Sequence, residues 1–520
     1  MAASDDETRL PILEKLTSDA EAHARSTTRV RRSFTGLVAT VLVSAVLAFG
    51  WSLPSKPDPP LQDAPHDFSG DLLMRCETST LLQPLDHFGA SPTAASFQQR
   101  YFTCGEFFDA ASGPIFFYTG GHADVELFLN TTGAMWEAAP AAQALLVFAE
   151  HRFFGASIPS SSSSLDHLST AQALADYANV ITALLARFGH RPVVAFGGGY
   201  GGLLASWLRL KFPHLVIGAV ASSAPLLAFD ADVDHEAFAR TVTYVASPVA
   251  GAHPNCIPNI RALWPKLTAA ATSSIGYAQL AAAFRLCPSS QHPLSTSLVS
   301  WITTAFEGLA VHNHPFATAS LPGHPMRAAC AHLAHDWYAE SSDSELYAAV
   351  REAVGVYYNA SGDVPCFDLN NDRDDQAERR RKGVLYEYLA CTELYTPRDY
   401  AGGDDDMFPP QRHNETADAM RCLQTWGVQL RPFGAHTMYG GRAGLEAATN
   451  LVLTNGDMDP WSHSGVLQSL APSVVAVRIP KGTHQSDLYF HDATDSDDLK
   501  SARSVVRAHV QHWLTAFSKQ

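Results

Sequence analysis

A strand-like run that breaks into a turn of almost nothing but glycine, and then into a helix, limits the fold of this chain more than any other stretch. Val193-Val194-Ala195-Phe196 leads into Gly197-Gly198-Gly199-Tyr200-Gly201-Gly202, and Leu203-Leu204-Ala205-Ser206-Trp207 carries on with helical spacing. A short apolar run bounded by glycine reads as a buried strand. Glycine is required where the backbone takes positive φ or where a neighbouring chain leaves no room for a Cβ. A strand, a sharp turn and a helix in that order form one unit of a parallel α/β sheet.

The same alternation recurs around it. Ile115–Tyr118, Ala144–Ala149, Pro192–Phe196 and Leu215–Ala221 read as buried strands, with helical patterns over Ser169–Phe188 and Leu203–Lys211. Strand-like runs then stop. Cys256–Ala271, Ser297–Leu309, Met326–Tyr338 and Ser344–Tyr357 show helical spacing, and strands resume at Leu451–Thr454 and Val474–Ile479 before a last helix over Ser496–Phe517. The pattern predicts an α/β domain over residues 71–229 and 431–520, interrupted by a helical cap insertion over 230–430. With 46% apolar and only 17% charged residues in 520, the chain has ample material for a core, and disorder, collagen and a coiled-coil rod are excluded.

The N-terminus points to a compartment. Residues 34–53 carry no charge, follow Arg29, Arg31 and Arg32, and end at Pro54. At about 1.5 Å per residue such a helix spans roughly 30 Å, the thickness of the bilayer's hydrocarbon core. The arginines place residues 1–33 in the cytosol, which predicts a single-pass type II signal-anchor, a Pro-rich stalk over 54–70, and a lumenal or extracellular remainder. The alternative is a cleaved signal peptide ending near Val46-Leu47-Ala48, against which the 33-residue preamble argues. All eight cysteines (Cys76, Cys104, Cys256, Cys287, Cys330, Cys366, Cys391 and Cys422) follow the apolar segment, and none lies in a zinc spacing. Disulfides are the expected use, with the pairing open. Sequons at Asn130, Asn359 and Asn414 suit glycosylation in the same compartment. Thirty-six basic against 52 acidic residues give a net charge of −16, which argues against nucleic acid as a partner. A metal site is not expected, and Asp404-Asp405-Asp406 lacks calcium-loop spacing.

Three places can carry chemistry. The glycine turn sits where an α/β-hydrolase puts the elbow of its nucleophile. Leu451-Val452-Leu453-Thr454 leads to Asn455-Gly456-Asp457-Met458-Asp459-Pro460-Trp461, which sets a carboxylate just past a strand. Val474–Ile479 leads to Lys481-Gly482-Thr483-His484, which sets an imidazole past the next. Elbow, acid, histidine is the chain order of that fold, with His484 as general base and Asp459 orienting it. The amides of Tyr200 and Gly120 are the candidate oxyanion-hole donors. The nucleophile position, however, is Gly199, which has no oxygen.

Further segments carry a family resemblance. They include Leu85-Asp86-His87-Phe88, Glu150-His151-Arg152-Phe153-Phe154-Gly155, Gln172-Ala173-Leu174-Ala175-Asp176, Ala221-Ser222-Ser223-Ala224-Pro225, Met407-Phe408-Pro409-Pro410, Met438-Tyr439-Gly440-Gly441, and Gly482 with His484 and Asp487-Leu488. From about residue 80 to 515 the chain resembles the lysosomal Pro-X carboxypeptidase and dipeptidyl peptidase II family of serine exopeptidases. The resemblance implies an α/β-hydrolase fold with a helical cap, no cofactor, proline-containing peptides as partners, cleavage next to proline, and charge-relay roles for Asp459 and His484. It leaves the oligomeric state open, a homodimer included, and lysosome, vacuole and cell surface as destinations. Two departures stand out. The family's Gly-Gly-Ser-Tyr-Gly-Gly has Gly199 at the serine, and its Asn-Glu-Gly-Asp reads Gly121-His122-Ala123-Asp124. Loss of that carboxylate argues against capture of a peptide amino terminus.

These readings predict a homologue of prolyl-directed exopeptidases that is impaired in catalysis and retains peptide binding. An active enzyme is the alternative, through an artefact at position 199 or a substitute hydroxyl, for which Ser222 and Ser223 are nearest by motif. A remote alternative reads Gly197, Gly199 and Gly202 as a dinucleotide fingerprint, but the following strand supplies no acidic residue for a ribose. Glu150 and Arg152 are expected to form a structural network behind the elbow, since charges after a buried strand need partners.

Overall fold

A computed structural model describes residues 70–519 apart from 91–94, 160–163, 289–293, 319, 340–342 and 370–376. The predicted cytosolic tail, the apolar segment 34–53 and nearly all of the stalk lie outside the described residues. Within them no helix is long and apolar enough to cross a membrane.

Eight strands form one sheet: β1 (Glu77–Pro84), β2 (Ser96–Cys104), β3 (Ile115–Thr119), β4 (Leu145–Ala149), β5 (Val193–Gly198), β6 (Gly218–Ser222), β7 (Leu451–Gly456) and β8 (Val474–Ile479). Their order is β1-β2-β4-β3-β5-β6-β7-β8. β2 runs antiparallel to both neighbours, and every pair from β4 to β8 is parallel. Alternation of side chains assigns the two faces. Ile115, Phe117, Leu145, Val147, Val193 and Ala195 pack on one side with helices Thr170–Phe188 and Tyr200–Lys211. Phe116, Tyr118, Leu146, Phe148, Val194 and Phe196 pack on the other, where Trp136 and the C-terminal helix residues Val510 and Trp513 cover them. A sheet covered on both faces explains why the central strands read as unbroken apolar runs.

β1 and β2 are absent from the sequence reading because neither is an apolar run: β1 is the edge strand, and β2 alternates exposed and buried positions in its first half. β1 reads Glu-Thr-Ser-Thr-Leu-Leu-Gln-Pro with half of its residues exposed, so it shows no apolar run. One predicted helix is shorter than expected. Met326–Tyr338 is helical only to Ala331, within Pro325–Ala331. Beyond that point the Asn259 side-chain amide donates to the carbonyls of Leu333 (3.0 Å) and His335 (2.7 Å), and the Asn255 amide donates to that of Ala334 (2.7 Å). These bonds hold the carbonyls out of a helical ladder.

The insertion is helical among the described residues, from Ala237–Val245 through Cys256–Ala270, Ser274–Ala283, Leu294–Val311, Pro325–Ala331 and Asp343–Tyr358 to Ala377–Thr392 and Glu415–Trp426. Its core (Val242, Leu263, Phe306, Leu309, Val350) includes Met458, the residue before Asp459. Leu385, Tyr388, Leu389 and Leu394 pack instead with the core under the sheet. All eight cysteines are paired: Cys76–Cys104 joins the chain before β1 to the end of β2, Cys256–Cys330 and Cys287–Cys366 lie inside the cap, and Cys391–Cys422 joins its last two helices.

Candidate active site

The elbow's geometry follows from how little room it has. A Cβ on Gly197 would lie 2.2 Å from the Gly201 carbonyl oxygen, and one on Gly201 would lie 2.7 Å from that of Thr119. The turn is therefore closed to side chains at both positions. At its apex Gly199 has φ 55° and ψ −121°, outside the regions that L-residues favour. The Gly199 amide donates to the Ser222 carbonyl (2.9 Å), and the Leu203 amide donates to the Gly199 carbonyl (3.0 Å) as the helix begins. The backbone has the form of a nucleophile elbow, with glycine at its apex.

Opposite it stands a complete acid–histidine pair. Asp459 is fully buried, and His484 is partly buried. His484 Nδ1 donates to Asp459 Oδ2 at 3.0 Å, and the Trp461 amide donates to Asp459 Oδ1 at 3.0 Å. With its proton on Nδ1, the ring directs the Nε2 lone pair at the elbow. A Cβ on Gly199 would sit 3.4 Å from that nitrogen. The cap reaches the same loop, since His314 Nδ1 lies 3.0 Å from Thr483 Oγ1, one residue before His484.

Sequence reasoning missed Gln485. Its side-chain amide donates to His484 Nε2 at 2.9 Å, taking the lone pair that a seryl hydroxyl would take. Of the two substitute hydroxyls considered, Ser222 is buried and bonds to Asp487, and Ser223 Oγ accepts from the Gln485 amide at 2.8 Å. Both are engaged away from His484. Ser222 also ends β6, where a dinucleotide site would need a carboxylate.

The expected oxyanion donors part company. Tyr200 opens the helix, in the first turn where amides have no partner within the helix. The Gly120 amide instead donates to the Ala149 carbonyl at 2.9 Å, because it extends the β3–β4 ladder by one residue. That amide is turned into the sheet, which corrects the expectation for Gly120. Gly121 follows it and faces the elbow, 3.8 Å from the position of a Cβ on Gly201. The Tyr200 side chain is also fixed. His151 Nδ1 donates to the Arg152 carbonyl (2.6 Å), so its Nε2 accepts from the Tyr200 hydroxyl (3.0 Å). Burial holds His151 neutral, its pKa pushed down to about 4.

The charges behind the elbow are paired as expected. Arg152 and Asp176, both fully buried, bond at 2.7 Å, and Asp176 also receives His87 Nε2 at 2.7 Å. Glu150 receives Arg100 (2.6 Å) and the amides of Ala156 and Ser157 (both 2.9 Å). Arg100 also binds Asp124 (2.7 Å) and Glu126 (2.6 Å), so both of those carboxylates are engaged. No cluster of metal-ligating side chains occurs among the described residues. Of the sequon asparagines, Asn130 and Asn414 are exposed and Asn359 is half-buried. Asn414 also caps its helix through the Ala417 amide (3.0 Å).

The sheet order, the elbow and the Asp–His pair define an α/β-hydrolase with glycine at the apex of its elbow. The serine carboxypeptidase S28 family matches residues 83–506, and the chain belongs to it. It is 36% identical over 448 residues to lysosomal Pro-X carboxypeptidase of Homo sapiens, covering 84% of this chain and 88% of that protein. It is 31% identical to the prolyl carboxy peptidase like protein 5 of Caenorhabditis elegans, over 88% of this chain and 94% of that protein. A thymus-specific serine protease of Mus musculus is 29% identical over 84% and 88% of the two chains.

Proposed function

We propose that this chain is a non-hydrolytic member of the prolyl-directed exopeptidase family that binds proline-containing peptides by their carboxyl-terminal end. The observation that carries the reading is Gly199 at the apex of an intact elbow, facing an intact Asp459–His484 pair. Acyl transfer begins with attack by an oxygen at that apex, and loss of the nucleophile alone removes most of the catalysis a triad gives. A carboxyl-terminal rather than an amino-terminal mode is supported by His122, which stands where the family's Asn-Glu-Gly-Asp has its glutamate. The relatives named as Pro-X carboxypeptidases agree with it.

Four disulfides and the lysosomal names of those relatives support a lysosomal or otherwise lumenal location. Residues 34–53 would tether the domain there as a type II anchor, with glycans on Asn130, Asn359 and Asn414. Two measurements test the function. A fluorophosphonate probe is expected to leave the native protein unlabelled; labelling that a proline peptide blocks would favour an active enzyme. In titration calorimetry a peptide with proline next to its C-terminal residue is expected to bind saturably and to lose affinity when its carboxylate is amidated. Absence of binding overturns the peptide-binding reading.

A further inference from the structure

The residue after the general-base histidine holds the place of the missing nucleophile. Gln485 is bent into the left-handed region at φ 57°, a conformation that disfavours side chains other than Gly, Asn or Asp. Its own amide is tied to Ser223 Oγ at 2.8 Å, which fixes the bend. The bend lays its side chain along the elbow. A Cβ on Gly198 would lie 2.4 Å from Gln485 Oε1, and one on Gly199 would lie 2.9 Å from Gln485 Nε2. The carboxamide therefore fits only because both elbow residues lack a Cβ. From there its N–H reaches His484 Nε2 at 2.9 Å, while His484 Nδ1 is held by Asp459.

We propose that Gln485 is a positioning residue coupled to Gly199: its carboxamide fills the space of a side chain at 199 and holds His484 in its Nδ1–H tautomer as a seryl hydroxyl would. The neutral imidazole offers one lone pair, so a hydroxyl at 199 and the Gln485 amide compete for it. A side chain at 199 must also displace the amide, since a contact of 2.9 Å is below what a real Cβ accepts. Restoring a serine alone then costs the shift of that amide before the hydroxyl reaches the histidine. The inference rests on the reading of the native site as non-hydrolytic, and the experiment separates the two.

Fluorophosphonate labelling is compared for the native protein, Gly199→Ser, and Gly199→Ser with Gln485→Ala, after thermal melts show that each is folded. The expected result is no labelling of the native protein and at least tenfold faster labelling of the double variant than of Gly199→Ser. Equal rates in the two variants overturn the coupling, as does the absence of labelling in a folded double variant. Labelling of the native protein overturns the functional reading on which the coupling rests. A second readout does not depend on re-arming the site. Gln485→Ala in the native background is expected to move the Nε2 resonance of His484 in a nitrogen NMR spectrum, and an unmoved resonance overturns the proposal.

Discussion

Gly199 and His484 stand about one hydroxyl apart, with 3.4 Å between a Cβ built on the glycine and Nε2 of the imidazole. The backbone that brings them together is strained for any residue with a side chain, since Gly199 holds φ 55° with ψ −121°. Such a conformation costs of order 1–3 kcal/mol in a non-glycine residue, a cost that glycine avoids. Glycine at this position therefore leaves the elbow without a hydroxyl and without that strain. Gly199→Ala and Gly199→Ser are expected to lower unfolding stability by about 1–2 kcal/mol each, and by similar amounts, because the backbone and not the hydroxyl sets the penalty. Urea unfolding of the two variants beside the native protein checks this. A neutral or stabilising Gly199→Ala would mean that the elbow relaxes when a side chain is present.

Arg152 and Asp176 form the buried ion pair that anchors the rear of the elbow. Arg152 bonds to Asp176 through Nε (2.7 Å) and Nη2 (2.8 Å) and donates to the carbonyls of Leu85 (2.7 Å) and His167 (3.1 Å). It thereby ties the exit of β1 to the helix Thr170–Phe188, which carries Asp176. Removing one partner leaves an uncompensated buried charge, at a cost of about 3–5 kcal/mol. Asp176→Ala is expected to show that loss by denaturant unfolding. Arg152→Met combined with Asp176→Leu is expected to lose less than the two single changes added together, because no charge is then left unpaired. Simple additivity would place the two residues in separate networks.

The central fold was legible because burial on both faces writes β3 to β7 as apolar runs, edge strand β8 is still rich in valine, and the Gly197–Gly202 turn marks where the chain leaves the sheet for a helix. Asp459 and His484 could be placed because each follows such a strand. Edge strand β1 was not legible, because half its side chains face water and leave no apolar signature. The early end of the helix at Ala331 depends on amides from Asn255 and Asn259, which lie more than 70 residues away in the chain. The direction of the Gly120 amide was decided by one extra rung of the ladder with Ala149. Gln485 is the more instructive omission. Nothing local marks a glutamine after a histidine as important, and its role arises only from the φ of its own backbone and two missing Cβ atoms across the site. The signal available in the sequence was its adjacency to His484 together with Gly198 and Gly199.

Two buried histidines contribute to the acid response of this domain. His151 is fully buried, and desolvation pushes its pKa down to about 4; His314, buried against Thr483, Phe316 and Tyr489, is pushed down to about 3 by the same cause. Both stay neutral in the folded state as pH falls below the ordinary value of 6.5. The unfolded chain takes up those protons first, so stability declines from about pH 6.5 downward until the folded pKa is reached. At 1.36 kcal/mol per pH unit, two units of acidification cost roughly 2–3 kcal/mol for each histidine. Buried Glu393 and Asp487 act in the opposite direction. Desolvation raises both, so their burial penalty is relieved in acid and grows as pH rises through their shifted values. His314→Phe isolates one contribution, since it keeps the ring stack on Phe316 and removes the titrating nitrogen. The native protein is expected to lose roughly 2–3 kcal/mol more than His314→Phe between pH 6.5 and 4.5, measured by urea unfolding at each pH. Parallel losses in the two proteins would show that His314 takes up its proton without unfolding. The acid sensitivity would then lie with His151 or outside the buried histidines.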